Sequence, residues 1–350
     1  MKCAFVGAGA VAEKYASGIP ESILELTAVC DREYERAEQL AAANDAKPYT
    51  DLDALLRDES APLVVNLTSH RAHATVTRDC LAAGRHVFSE KPLALDVDEA
   101  TALVSMADRR GLALGCAPIN HLGEAQRHVE RFLGDSRFGP IRLGYAHAHV
   151  GRVTGWHDSP DSYLSVGPLY DGTVYPLNLL IRWFGSVTRV RSADAIDVWP
   201  DHATPSPDRP PHVESTVEFE SGLVVRLTAS FYVPHRSREF YGLELHGDGG
   251  SLYLADSGAF VADTNDVRVG GLGREYVAAP SPHPGRELSY VDGPERLALS
   301  VGRGNRPTAD AKRGAHVVAI CNAIETADSE GGPVTVVARD VAHRSLETVS

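Results

Sequence analysis

The chain opens on a short apolar run, Lys2-Cys3-Ala4-Phe5-Val6, that passes directly into Gly7-Ala8-Gly9-Ala10-Val11-Ala12. A strand that meets G-x-G-x-x-A and then a helix has few ways to fold. Gly7 permits a tight turn, Gly9 lets backbone come close to a pyrophosphate, and Ala12 lets the helix pack closely on the strand. The first helical turn, with Ala10 and Val11, offers free N–H groups and a positive dipole end to the phosphates. A second expected strand, from Leu26 to Cys30, ends in Asp31. An acid about 20 residues beyond such glycines accepts hydrogen bonds from the adenosine ribose and repels a 2′-phosphate. Arg32 follows and is able to stack on adenine or pair with that phosphate, so NAD is favoured and NADP is the second option. Asp31 also suits the N-cap of a helix over 33–43, a role compatible with the first.

Strand and helix patterns then alternate to about residue 120. A short helix is expected over 51–58, a strand over 63–67, a helix over 72–83 closed by Gly84, and a helix from Asp96-Val97-Asp98-Glu99 to about Arg110. A last strand is expected at Leu112-Ala113-Leu114. This alternation implies a doubly wound parallel sheet with right-handed crossovers. Thr68, at a strand's carboxyl end, is a candidate cofactor contact, and His73 either joins it or is structural. The stretch Gly84-Arg85-His86-Val87-Phe88-Ser89-Glu90-Lys91-Pro92 sets a carboxylate, an ammonium and a proline at the carboxyl end of another strand, where ligands bind in such sheets. The pKa of a lysine there is easily moved, as proton transfer requires.

From about Asn120 the pattern changes to one amphipathic helix (122–133) followed mainly by strands, over 141–150, 188–198, 212–220, 223–233, 239–247 and 251–255. Glu220-Ser221-Gly222 and Asp248-Gly249-Gly250 read as hairpin turns. The fold class is therefore α/β: residues 1–120 form a dinucleotide-binding domain, and residues 121–350 form an α+β domain on a large, mainly antiparallel open sheet. Residues 200–211 and 270–285 read as irregular, 312–327 as a helix, and a final helix is expected after Val336. Pro176 fits only the first turn of a helix, which places its start near Gly172 or Thr173. Asp171, Tyr175 and Asn178 then share one side of it. Trp156, His157 and Tyr163 precede it and suit a pocket wall. His147 and His149 lie on one strand face without a third ligand in view, so no metal is expected.

The 350 residues carry 43% hydrophobic and 23% charged residues and a formal net charge of −13. That balance argues against nucleic acid or an anionic membrane as partner. No apolar run reaches the ~18 residues of a membrane span, and no secretory leader pattern opens the chain. Five cysteines without CxxC spacing read as small buried hydrophobes in a reducing, cytoplasmic setting.

In order and spacing, G-x-G-x-x-A, Thr68-x4-His73, A-G-R-H-V-F-S-E-K-P and D-x3-Y (Asp171, Tyr175) resemble the glucose–fructose oxidoreductase / inositol dehydrogenase / MocA family across nearly the whole chain. The resemblance implies hydride transfer between NAD(P) and a secondary alcohol or ketone carbon of a sugar, cyclitol or related polyol. It implies that Lys91 is the active-site lysine, that Glu90 is the acid beside the nicotinamide ribose, and that Tyr175 stands where many members carry histidine. Tyr175 is then the candidate acid/base, with Lys91 assisting it or carrying the proton itself, and Asp171 orienting Lys91 or a neighbouring hydroxyl. Two departures, Ser165-Val166-Gly167 in place of a glycine triplet and Thr173 in place of glycine, are expected to add bulk near the pocket. The rival readings are an NAD-dependent glycosidase using transient oxidation and a non-catalytic NAD-sensing regulator. A homodimer or homotetramer through the C-terminal sheet is expected, since that sheet's second face needs a cover.

Overall fold

The computed structural model describes every residue except 158, 201–204, 234–240, 259–266, 284, 286 and 338–350. The final helix expected from the sequence lies outside the described residues. The chain divides into two compact units: Met1–Ile119 with Ser289–Ala315, and Asn120–Leu288 with the residues from His316 onward.

The first unit is a six-stranded, all-parallel sheet in the order β3-β2-β1-β4-β5-β6. Its strands are β1 (Lys2–Val6), β2 (Glu25–Cys30), β3 (Lys47–Tyr49), β4 (Leu63–Asn66), β5 (His86–Ser89) and β6 (Leu114–Cys116). The helices between them are α1 (Ala10–Ala16), α2 (Tyr34–Ala42), α3 (Leu52–Asp58), α4 (His73–Ala82) and α5 (Val97–Arg110). Side-chain caps set two of their starts. Asp51 accepts the Ala54 N–H ahead of α3, and Asp96 accepts the N–H groups of Asp98 and Glu99 ahead of α5. The last strand lies two residues later than expected, because Leu114, not Leu112, pairs with Val87.

A helix without a clear sequence signal, Asp292–Gly302, also belongs to this unit and packs on β5 and β6. The Phe88 ring accounts for this. A Cβ on Gly293 would lie 2.4 Å from it and one on Gly115 2.7 Å, so two glycines let the helix and the neighbouring strand close on one aromatic side chain.

The second unit holds a nine-stranded sheet of β7 (Ile141–His149), β8 (Val187–Ile196), β9 (His212–Phe219), β10 (Val224–Ser230), β11 (Leu243–Gly247), β12 (Gly250–Leu254), β13 (Val267–Gly271), β14 (Val277–Ala278) and β15 (Val334–Thr335). Their order is β14-β13-β12-β11-β7-β10-β9-β8-β15. Every pairing is antiparallel except β7 with β10. The helices are α6 (Glu124–Leu133), α7 (Asp161–Leu164), α8 (Gly167–Gly172) and α9 (Val174–Phe184). The helix over Asp292–Gly302 is α10, and α11 (Ala309–Glu330) divides between the units at Ala315. Two strands occupy the stretch read as irregular over 270–285, with β13 beginning just before it. All five cysteines are buried thiols. No helix among the described residues is long and apolar enough to cross a membrane.

Candidate functional site

In the first unit the candidate residues gather at the carboxyl edge of the parallel sheet. Gly7 leaves β1 with φ +99, and a Cβ there would lie 2.4 Å from the Leu67 carbonyl oxygen. No side chain fits this turn in either conformation or space. A Cβ on Gly9 would meet nothing within 4 Å, so its backbone is open to close approach. Gly9 is the N-cap of α1 and makes no side-chain cap bond, while Ala12 is fully buried beneath that helix. The Asp31 carboxylate is anchored at both oxygens: Ala8 N–H donates to Oδ2 at 2.8 Å and Glu33 N–H to Oδ1 at 3.0 Å. It thus ties the glycine turn to the start of α2, and Arg32 beside it is exposed. Turn, open backbone and anchored acid fit the phosphate and adenosine ribose groups of a dinucleotide.

The next strand end is braced by Asn66, for which the sequence offers no distinguishing pattern. Its buried amide donates to the His73 carbonyl and the Thr77 hydroxyl, both at 3.0 Å, and accepts from the Thr68 hydroxyl at 2.7 Å. The His73 ring is 1% exposed, with Nδ1 2.7 Å from the Pro92 carbonyl and Nε2 2.9 Å from the Thr68 carbonyl. Burial, helped by nearby His70, pulls its pKa down to about 4 against the opposing pull of the two carbonyls. The neutral ring carries one N–H and donates to one of these two carbonyls, while it fills the space between the Thr68 and Pro92 loops.

Glu90 is 8% exposed and held on both sides: Tyr15 Oη donates to Oε1 at 2.7 Å and Lys91 N–H to Oε2 at 3.0 Å. Its own N–H donates to the Asn66 carbonyl, and the following Lys91–Pro92 peptide is cis. Tyr15 is wedged against Phe5, Phe88 and Tyr290, with the Tyr290 ring 5.4 Å away. Burial, then the Glu90 charge, push the Tyr290 phenol above its ordinary range while Lys91 opposes them. Neither tyrosine stands out in the sequence. The signal available for Tyr15 is its place among Ala12 and Ala16 on the buried stripe of α1.

In the second unit, Asp171 and Tyr175 fall on separate helices. Asp171 is in α8 and Tyr175 in the first turn of α9, which starts just after the expected Gly172 or Thr173; Thr173, the N-cap between them, keeps a helical backbone at φ −67 and ψ −17. Asp171 is 3% exposed. A Cβ on Gly172 would lie 2.8 Å from Val150 and 3.0 Å from Ala148, which is why α8 approaches β7 so closely. Tyr175 is half-buried, its ring 4.8 Å from Tyr241. Asn178 is drawn inward: its amide nitrogen donates to Asn120 Oδ1 at 2.8 Å, and Asn120 in turn donates to the Tyr175 carbonyl at 2.9 Å. The pair fixes the Tyr175 backbone, and the amide of Asn178 is engaged in the interior. Of the residues expected to add bulk near the pocket, two are also absorbed inside, while Ser165 is half-buried. Val166 and Thr173 are fully buried, and the Thr173 hydroxyl donates to the Leu169 carbonyl.

Trp156, His157 and Tyr163, each a candidate on sequence grounds, meet in one cluster with ring centroids 4.9–5.9 Å apart. Tyr163 and Tyr175 pack on the same buried bed of Ala148, Val150, Leu164 and Phe231. His147 and His149 lie with rings 5.0 Å apart. Among the described residues no group of three or more His, Cys, Asp or Glu side chains is arranged to hold a metal.

Residues 1–117 match the model of an oxidoreductase family with an NAD-binding Rossmann fold, and residues 126–253 match the GFO/IDH/MocA C-terminal domain. The chain belongs to the GFO/IDH/MocA oxidoreductase family. Among its relatives, D-glucoside 3-dehydrogenase of Escherichia coli K12 is 27% identical over 276 residues, covering 73% of this chain and 78% of that enzyme. Trans-1,2-dihydrobenzene-1,2-diol dehydrogenase of the mouse is 27% identical over 195 residues, 53% of this chain and 57% of that one. UDP-N-acetylglucosamine 3-dehydrogenase of Acidithiobacillus ferrooxidans is 32% identical over 153 residues, 41% and 47%. With these last two the match spans only about half the relative's length. Among solved structures, aldose-aldose oxidoreductase from Caulobacter crescentus, complexed with glycerol, superposes with a TM-score of 0.81 at 19% identity, covering 96% of this chain and 99% of that one. The WlbA dehydrogenase from Bordetella pertussis, in complex with NADH and UDP-GlcNAcA, gives 0.78 at 18% identity, covering 97% and 99%. At these identities the two structures speak for the fold.

Proposed function

We propose that this protein transfers a hydride between NAD and a secondary alcohol or ketone carbon of a sugar, cyclitol or related polyol. The observation that carries the reading is Glu90, locked between Tyr15 and the Lys91 backbone at the same sheet edge as the glycine turn and Asp31. A binding module needs the turn and the acid; it has no use for a fixed carboxylate and a lysine beside the nicotinamide end. The relatives named as dehydrogenases of glucosides, a UDP-sugar and a ring diol support the same substrate class.

NAD supplies the hydride acceptor when bound. Gly7, Gly9, Ala10, Val11 and Ala12 hold its phosphates, Asp31 its adenosine ribose, Thr68 its crevice side and Glu90 its nicotinamide ribose. The proton of the reacting hydroxyl passes to Tyr175, with Lys91 binding the same oxygen and favouring the phenolate, and Asp171 orienting the pair. Tyr163, Trp156 and His157 line the substrate side. Asp31 stands against a 2′-phosphate, so NAD(H) is expected to bind more tightly than NADP(H).

A panel of hexoses and cyclitols, read by NADH absorbance with each cofactor, tests the proposal. Stoichiometric NADH with an oxidised sugar supports it; cleavage of a glycoside without net NADH would favour the glycosidase reading. We also propose that a second copy covers the outer face of the nine-stranded sheet, where β9 leaves His212, Glu214, Thr216 and Glu218 half-buried while the alternate residues are buried.

A further inference from the structure

The second unit carries an aromatic shelf larger than a single sugar ring requires. Trp156 is 52% exposed, with His157 at 5.9 Å and Tyr163 at 5.6 Å between centroids. The His157 ring is fixed, since its Nδ1 accepts the Ser159 N–H at 3.0 Å and the proton therefore sits on Nε2. Next to the shelf the Arg152 guanidinium lies over the rings of Trp199, at 5.9 Å, and Tyr232, at 5.1 Å, and donates to the Tyr232 carbonyl. The two groups adjoin: the Trp156 indole nitrogen lies near Gly151, and the Val233 carbonyl accepts from Arg152 N–H. Tyr163 and Trp199 both pack on the buried bed that also carries Tyr175.

An exposed tryptophan edge-on to two further rings is costly to leave in water and suits a flat apolar partner. Its continuity with the Tyr175 bed points to a partner attached to the reacting sugar. The Arg152 guanidinium beside the shelf is already stacked between two rings, so it is poorly placed to meet both charges of a diphosphate bridge. We infer that the shelf is a subsite for an uncharged, ring-bearing aglycone, so that the preferred substrates are glycosides with an aryl or comparably flat apolar group, in place of free monosaccharides or nucleotide sugars. This rests on the oxidoreductase reading for the reaction itself, whereas the binding claim stands on the shelf alone.

The test uses the full chain with NAD and one hexose presented as free sugar, methyl glycoside, phenyl glycoside and UDP-sugar. The phenyl glycoside is expected to exceed the methyl glycoside in kcat/KM by roughly tenfold or more, as burial of an aromatic face implies. Trp156→Ala is expected to bring that ratio to about one. Phenyl glycoside is also expected to change the tryptophan fluorescence of the wild type, and Trp156→Phe to remove that change. Equal rates for phenyl and methyl glycosides, a preference for the UDP-sugar, or an equal loss for all glycosides in Trp156→Ala would each overturn the subsite. If no sugar reduces NAD while the fluorescence change persists and depends on Trp156, the oxidoreductase reading fails and the subsite survives. If sugars turn over without any aglycone preference, the subsite fails and the oxidoreductase reading survives.

Discussion

The two units hold their candidate residues by different means. In the first, charged and polar groups are pinned by buried hydrogen bonds: Asp31 by two amides, Glu90 by Tyr15 and the Lys91 amide, Thr68 by Asn66, and the loops by His73. In the second, Tyr175 rests its ring on an apolar bed beside Tyr241, and Asn120 ties its backbone. Hydrogen bonds fix direction, which a cofactor with one reactive face demands. Aromatic packing fixes shape and leaves room for substitution, which suits a substrate side that varies. Damage to the first unit should therefore be severe and general, and damage to the second selective.

The largest expected effect on stability comes in acid. His73 has its pKa lowered by burial from an ordinary 6.5 to about 4. Above 6.5 it is neutral folded or unfolded, and its contribution is complete. As pH falls from 6.5 to 4 the unfolded chain takes up the proton first, and up to roughly 3 kcal/mol is lost. His316, in the second unit and likewise pushed to about 4 by burial, adds to the same loss. Urea unfolding at pH 7 and pH 4.5 should show His73→Asn less stable at pH 7 and less sensitive to acid than the wild type. Equal acid sensitivity in both proteins would remove His73 as a cause.

Next comes Tyr15→Phe, which removes the bond to Glu90 while keeping the ring in its aromatic nest. A misplaced group near the reacting centre costs up to about 100-fold, so kcat should fall roughly 10- to 100-fold, and thermal stability should fall as well because the buried Glu90 carboxylate loses a partner. A change in KM for NAD alone, with kcat intact, would make Glu90 a binding group only. Smaller again is Asp31→Ala. Losing hydrogen bonds to a charged acceptor is expected to weaken NAD binding by roughly tenfold and to narrow its margin over NADP. Fluorescence titration of both cofactors checks it, and an unchanged ratio would mean that Asp31 serves the turn alone.

Much of this contrast was legible in the sequence, unevenly. The first unit's elements follow from local rules: apolar runs, Asp51 and Asp96 as caps, and Gly84 with φ +79 after α4. The residues that pin its site were harder to see. Tyr15 and Glu90 are 75 positions apart, and no local pattern links a tyrosine in the first helix to a carboxylate after the fifth strand. The helix that returns to this unit starts Asp292-Gly293-Pro294 and carries no clear local signal; Phe88, which needs a glycine against it, accounts for its placement. In the second unit, Gly270 and Gly271 fall in the stretch read as irregular, yet they close β13, which pairs with β12. Asn178 misled for a related reason. Helical spacing assigns it a face, but the pull of Asn120 decides where its amide goes.

The central proposal is that Lys91 and Tyr175 act together on one proton. Steady-state kinetics of Lys91→Ala, Tyr175→Phe and the double variant, on a sugar found in the panel, tests it most directly. Each single change is expected to lower kcat by roughly 10²–10⁴-fold, the usual worth of a positioned acid or base. The double variant should lose far less than the product of the two, because groups acting as one unit are not additive. A multiplicative loss, or a Tyr175→Phe enzyme within about threefold of wild type and so below that range, would contradict the account and leave Tyr175 as a wall of the pocket.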